Sequence, residues 1–162
     1  MSLECSYKVL IGRQLNEVGF VDIPSSGYSM YPSIRPGDVC QFEPIHDEKL
    51  LIGDIVLFVN EEGNLIGHRL IRMSGNKEEP VFEFKGDTNN YPDLAVKRDR
   101  MLARLTMIRR VNRKDKSITI PANHYLFNAW GKVILRLPFL SPVLRKLALF
   151  INASHVQHEQ RQ

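Results

Sequence analysis

The chain has 162 residues, of which 43% are hydrophobic and 25% charged, the balance of an ordinary globule with enough apolar material for one core. Its 22 basic and 18 acidic residues leave a net charge of +4, a mild excess that does not make nucleic acid an expected partner. Two cysteines, Cys5 and Cys40, suggest no disulfide framework, and five scattered histidines, including the tail pair His155 and His158, suggest no metal site; reduced thiols and no cofactor are the expectation.

Leu3 to Val18 carries apolar Tyr7, Leu10, Ile11 and Leu15 at helical spacing, and Gly19 is a natural stop. The stretch GFVDIP then reads as a short strand leading into a loop of Ser25, Ser26, Gly27, Tyr28 and Ser29. Asp54–Asn60 and Leu65–Met73 flank Glu62-Gly63 and predict a hairpin with His68 on its second strand. Pro80–Lys85 and Met101–Val111 supply further strands, and Lys114-Asp115 turns the latter back through Ser117–Ile120. Several short strands with frequent turns predict a mainly β fold, a curled or partly closed antiparallel sheet with an N-terminal helix and C-terminal helices. One domain is expected, with residues 1–120 forming the β unit and 121–162 a helical extension packed on it or on a membrane surface.

Chemistry enters at Ser29, His68 and the acidic stretch KGDTNNYPD, which holds Asp87 and Asp93. A serine hydroxyl attacks well at neutral pH only when a base takes its proton, and an imidazole steadied by a carboxylate is such a base. Each residue alone has a plain structural alternative: Ser29 as a turn serine, His68 as a packed strand histidine, Asp87 as a turn former and Asp93 as a solvated loop carboxylate. Which of the two carboxylates would serve His68 is open from the residues. For the oxyanion of acyl transfer, whose donors are worth about 3 kcal/mol each, the backbone N–H of Ser29 is the first candidate.

The run GYSMYPSIRPGD, LLIGDIVLFVN, LIGHRLIRM and FEFKGDTNNYPD, from about Ile23 to Ile108, resembles the signal peptidase I family, in its serine-histidine branch of archaea and the endoplasmic reticulum. The matching elements are Ser29-Met30, Pro32, Gly37-Asp38, Gly53-Asp54, His68-Arg69 and Gly86-Asp87-Thr88-Asn89, in that order. The resemblance implies a fold shared with the self-cleaving SOS-repressor proteases, a serine endopeptidase cutting a leader or signal-like peptide, and small side chains just before the cut. It implies Ser29 as nucleophile and His68 as base where the ordinary bacterial branch has lysine, and it suggests the later of the two acids, Asp93, as the orienting one. A lysine base needs its pKa pulled far down, whereas an imidazole needs an acid to orient it. Many relatives place a hydroxyl donor where Gly27 stands, so Ser26 or Ser25 is the substitute expected here, with Gly27 and Met30 beside it at the substrate.

Well-known members carry a membrane anchor before the serine, whereas residues 1–28 are amphipathic, with Glu4, Lys8, Arg13, Asn16 and Glu17. The expectation is a cytoplasmic or membrane-associated protein without a transmembrane segment or secretory leader, whose partner is a peptide or protein substrate. Residues 125–151 are apolar but interrupted by Lys132, Arg136, Pro138, Pro142, Arg145 and Lys146, short of the ~20 unbroken apolar residues a span needs. Val143, Leu144, Leu147, Ala148 and Ile151 share a helical face, either docked on the domain or lying in a membrane interface. The basic run Lys97, Arg98, Arg100, Arg104, Arg109, Arg110, Arg113, Lys114 and Lys116 is either a solvated face or an anion-binding patch. Two other readings stand beside the protease: a degenerate relative that binds a leader peptide without cutting it, and a self-cleaving repressor-type protease, for which His68 is the wrong base and residues 1–28 too short a DNA-binding module.

Overall fold

The computed structural model describes residues 3–46, 50–76, 78–111 and 116–159. Helix α1 (Leu3–Val18) leads into strands β1 (Val21–Pro24), β2 (Val39–Pro44), β3 (Ile55–Val59), β4 (Leu65–Gly75), β5 (Pro80–Lys85), β6 (Val96–Lys97), β7 (Met101–Val111) and β8 (Ser117–Pro121), and helices α2 (Tyr125–Arg136) and α3 (Leu140–Glu159) close the chain. All strand pairs are antiparallel, in the order β1-β2-β7-β3-β4-β5-β6, with β8 on β7. This is the mainly β architecture with flanking helices that strand spacing led us to expect. The turn expected at Lys114-Asp115 lies outside the described residues.

Strand β7 organises the sheet. Arg104 pairs with Glu43 of β2 on one edge and Val56 of β3 on the other, while Ile108 pairs with Cys40 and with Ile120 of β8. One long strand therefore carries β3 and β8 end to end along a single edge. Register shifts at Gln41/Phe42, Leu57/Phe58 and Leu70/Arg72 interrupt the ladders, the irregularities that let a sheet bend. Strand β2 has no counterpart among the strands expected from the sequence; the alternation of buried Cys40 and Phe42 with Gln41 and Glu43 is its signal.

Apolar residues fill both faces of the central strands. Ile55 and Leu57 of β3 point into a cluster with Ile11 and Leu15 of α1 and with Met30 and Ile34, whereas Val56 and Phe58 join Leu70, Phe82 and Phe84 on the other side. The period of two along a strand explains why all five residues of β3 are buried. Leu10, grouped with Ile11 by helical spacing, is instead exposed, because the stripe of α1 that meets the sheet is only wide enough for Tyr7, Ile11 and Leu15.

The two Gly-Asp elements form the same turn twice. Gly37 and Gly53 take positive φ of 85° and 104°, and the following carboxylate accepts the backbone N–H three residues earlier: Arg35 N–H to Asp38 at 2.8 Å, Leu51 N–H to Asp54 at 2.9 Å. Each carboxylate is then met by an arginine of β7, Arg110 for Asp38 at 2.7 Å and Arg104 for Asp54 at 3.5 Å. Arg109 pairs with Asp22 in the same way. Three members of the basic run, Arg104, Arg109 and Arg110, are thus committed to ion pairs with turn and strand carboxylates; Arg113 and Lys114 lie outside the described residues.

Helix α2 begins at His124, whose ring accepts the Leu126 N–H, and ends before Pro138, which cannot continue it. The face of α3 that packs holds part of the apolar face its spacing suggested: Leu144 and Ile151 are half-buried on the side of Ala148. Ser141 and Ala148 are buried at 0% and 2% exposure, whereas Val143 and Leu147 are exposed at 60% and 46%. Ser141 Oγ accepts from Lys85 Nζ at 3.1 Å, which ties that side of the helix to β5. Burial lowers the Lys85 pKa from 10.5, an effect the nearby Asp87 carboxylate opposes.

Candidate active site

Three side chains distant in sequence meet in one chain of hydrogen bonds. His68 Nε2 lies 3.0 Å from Ser29 Oγ, and His68 Nδ1 lies 2.6 Å from Asp93 Oδ2. The His68 side chain is 8% exposed and the Asp93 side chain 19%, and Ser29 is half-buried, so the chain is shielded but open at the serine end. His68 sits on β4 opposite Val56 of the fully buried β3, with the Phe58 ring edge-on at 6.4 Å; that rigid strand fixes the base. Asp93 is held by its own N–H, which donates to the Phe84 carbonyl at 2.8 Å as the loop returns past β5.

Ser29 is pinned from both sides. Met30 next to it is buried at 3% exposure in the core and lines the cavity beside the serine. On the other side the Gly86–Asn89 turn lies against the serine's backbone: Thr88 N–H donates to the Ser29 carbonyl at 2.9 Å and Thr88 Oγ to the same oxygen at 3.2 Å. A Cβ at Gly86 would stand 2.9 Å from that carbonyl oxygen, so only glycine permits the approach. Thr88 has no chemical signature of its own, and sequence reasoning passed over it.

The alternative acid, Asp87, points away from His68 into a buried cluster. It receives Arg69 Nε and Nη2 at 2.8 Å each, Ser33 Oγ at 2.8 Å and Trp130 Nε1 at 3.1 Å. Arg69 is 2% exposed and also donates to the Gly53 carbonyl at 2.9 Å. Helix α2 comes down on this pair: Gly131 leaves no room for a Cβ, which would meet Arg69 Nη1 at 2.8 Å, and the Phe127 ring lies 5.7 Å from the guanidinium carbon. Ser33 and Trp130 were not among the residues the sequence singled out; nothing in their local spacing marks them, because their partner is a carboxylate far along the chain.

Beside Ser29 and His68 lies a cavity of about 270 Å³ with Met30, Cys40, Phe42 and Leu57 among its lining residues and Ser26 and Gly27 at its border. A Cβ on Gly27 would meet nothing within 4 Å, so the space beside this residue is open. The cavity runs between β1, whose strand partner is β2, and Leu65–His68, the part of β4 that pairs with β3 before the β5 ladder starts at Arg69. Both flanks therefore present backbone edges. Cys40 is a free thiol whose pKa burial pushes up to about 12, so it stays neutral against this cavity.

Among the described residues no group of three or more His, Cys, Asp or Glu side chains is arranged to hold a metal ion, and no helix is long and apolar enough to cross a membrane. Comparison with known proteins finds no matching family model, no matching curated protein and no matching solved structure.

Proposed function

We propose that the chain is a serine endopeptidase of the signal peptidase I kind, with the fold of that family, cutting a leader or signal-like peptide. The observation that carries this reading is the unbroken Ser29–His68–Asp93 hydrogen-bond chain at the mouth of an apolar cavity. Ser29 Oγ attacks the scissile carbonyl carbon while His68 Nε2 takes its proton, and Asp93 holds the Nδ1–H and stabilises the imidazolium. The C–N bond then breaks as His68 returns the proton to the leaving amine, which leaves an ester on Ser29. A water, deprotonated by the same imidazole, hydrolyses that ester and restores the serine. The Ser29 N–H is the first donor for the oxyanion, and the exposed Ser26 hydroxyl at the cavity border is the candidate second. An extended peptide bonding to the edges of β1 and the start of β4 would lay its side chains into the cavity.

The test is mass spectrometry of a diverse peptide mixture incubated with the wild-type chain and with Ser29→Ala. New peptide termini made only by the wild type support the endopeptidase; identical mixtures, with peptides retained intact by both proteins, turn the reading to a leader-binding relative.

A peripheral membrane contact belongs to the same reading. Residues 125–151 contain no acidic side chain, and Leu126, Phe139, Val143, Leu147 and Phe150 are exposed alongside Lys132, Arg136 and Lys146. Co-sedimentation with anionic vesicles, weakened by salt, is the expected result; equal recovery with and without vesicles refutes the contact.

A further inference from the structure

Two cavities meet at Ser29 and share only that residue. The second, about 470 Å³, lies between the 88–93 loop and α3, and its lining mixes Tyr28, Tyr91, Ala148 and Leu149 with the polar side chains of Thr88, Asn89, Asn90, Asp93 and Arg145. Arg145 reaches it by construction of the helix. It stands about one turn from both Ser141 and Ala148, the buried positions of α3, and although itself exposed it lines the cavity together with Ala148 and Leu149. Among the described residues Arg145 has no ion-pair or hydrogen-bond partner, and the carboxylate nearest in the lining, Asp93, is engaged by His68. A guanidinium with no partner among the described residues, in a cavity beside a reacting serine, is a ready receptor for a carboxylate, which it binds through paired N–H donors.

We propose that this cavity receives the leaving half of the peptide and that Arg145 reads a carboxylate there, either an acidic side chain shortly after the scissile bond or a free C-terminus close behind it. The inference rests on the reading of Ser29 as nucleophile. The acyl half stays joined to Ser29 until water arrives and needs the cavity with strand edges; the half that departs is met by the cavity on the other side of Ser29, where Arg145 is the charged contact. The ion pair is solvent-open, so the preference is moderate, roughly three- to tenfold over the neutral amide.

The experiment is competitive capture of random short peptides, synthesised as C-terminal acids and as amides, on immobilised Ser29→Ala protein and on Ser29→Ala/Arg145→Gln, read by mass spectrometry. Enrichment of Asp or Glu in both libraries on the Ser29→Ala protein, lost with Arg145→Gln, identifies a side-chain carboxylate. Enrichment of acids over amides without a favoured side chain identifies a C-terminus. Ser29→Ala/Arg145→Glu is expected to prefer Lys or Arg instead, which excludes general damage as the cause. Failure to bind any peptide, no carboxylate preference, or a preference that survives Arg145→Gln overturns the proposal. If the captured peptides show the Arg145-dependent preference but the wild-type chain leaves them uncut, the protease reading fails while the carboxylate site stands.

Discussion

Asp87 and Asp93 stand on one loop and serve opposite ends. Asp87 is enclosed at 2% exposure by Arg69, Ser33 and Trp130, and every one of its contacts ties secondary-structure elements together. Asp93 is more open and spends its carboxylate on a single imidazole that leads to Ser29. The comparison teaches that in one short loop the better-bonded acid is the structural one: four donors leave no capacity to follow a proton, whereas one imidazole partner leaves the charge available to it.

If that division holds, the largest effects fall on chemistry and leave the fold alone. Ser29→Ala or His68→Ala is expected to lower kcat by on the order of 10⁶, and Asp93→Ala by about 10⁴, with melting temperatures near wild type. Peptide-cleavage rates set beside thermal melts check this; an Asp93→Ala protein that cuts at wild-type rate breaks the comparison. Asp87→Ala should do the reverse, removing about 3–5 kcal/mol of stability by leaving Arg69 buried without its counter-charge, measured by urea unfolding. Trp130→Phe sharpens the point. It keeps the ring and removes one donor to Asp87, so a loss of about 1–2 kcal/mol is expected, and a change in cleavage rate at full folding would show α2 acting on the site through Arg69.

The smallest effect lies under the cavity. Cys40 holds its proton up to about 12 when folded against 9.0 otherwise, so its contribution to stability is complete below pH 9 and is lost as pH rises from 9 towards 12. Lys85 works the other way: its folded pKa is lowered, so the penalty on its charged form is relieved as pH rises towards 10.5. Native protein at pH 8 is expected to resist alkylation at Cys40, and Cys40→Val should flatten the alkaline fall in a pH series of unfolding curves. Rapid labelling of Cys40 in the folded chain would refute its burial.

The fold's outline was legible where local patterns are strong. Helix α1 ends at Gly19 with φ 87° as its spacing and glycine indicated, and the β3–β4 hairpin turns at Gly63 with Asn60 closing the loop. Strand β2 was not legible, because a short strand ending in Glu43 and Pro44 carries little β signal until β1 and β7 flank it. The buried face of α3 was legible in part: Leu144, Ala148 and Ile151 turn inward as their spacing indicated, but Val143 and Leu147 stay exposed and Ser141 joins the buried side, bonded to Lys85.

By itself the sequence determined the local pieces: the first helix, the β3–β4 hairpin and most of the strands, and a serine, a histidine and two acids of the right types. Those follow from backbone conformations and side-chain chemistry that each residue carries wherever it sits. Only the tertiary structure decided which acid meets His68, that Arg69, Asp87 and Trp130 bind α2 to the sheet, and that Arg145 of α3 opens onto the same serine. Those are distances between residues far apart in the chain, and they are set by strand register and by which helix face is buried, quantities that no local stretch of sequence contains.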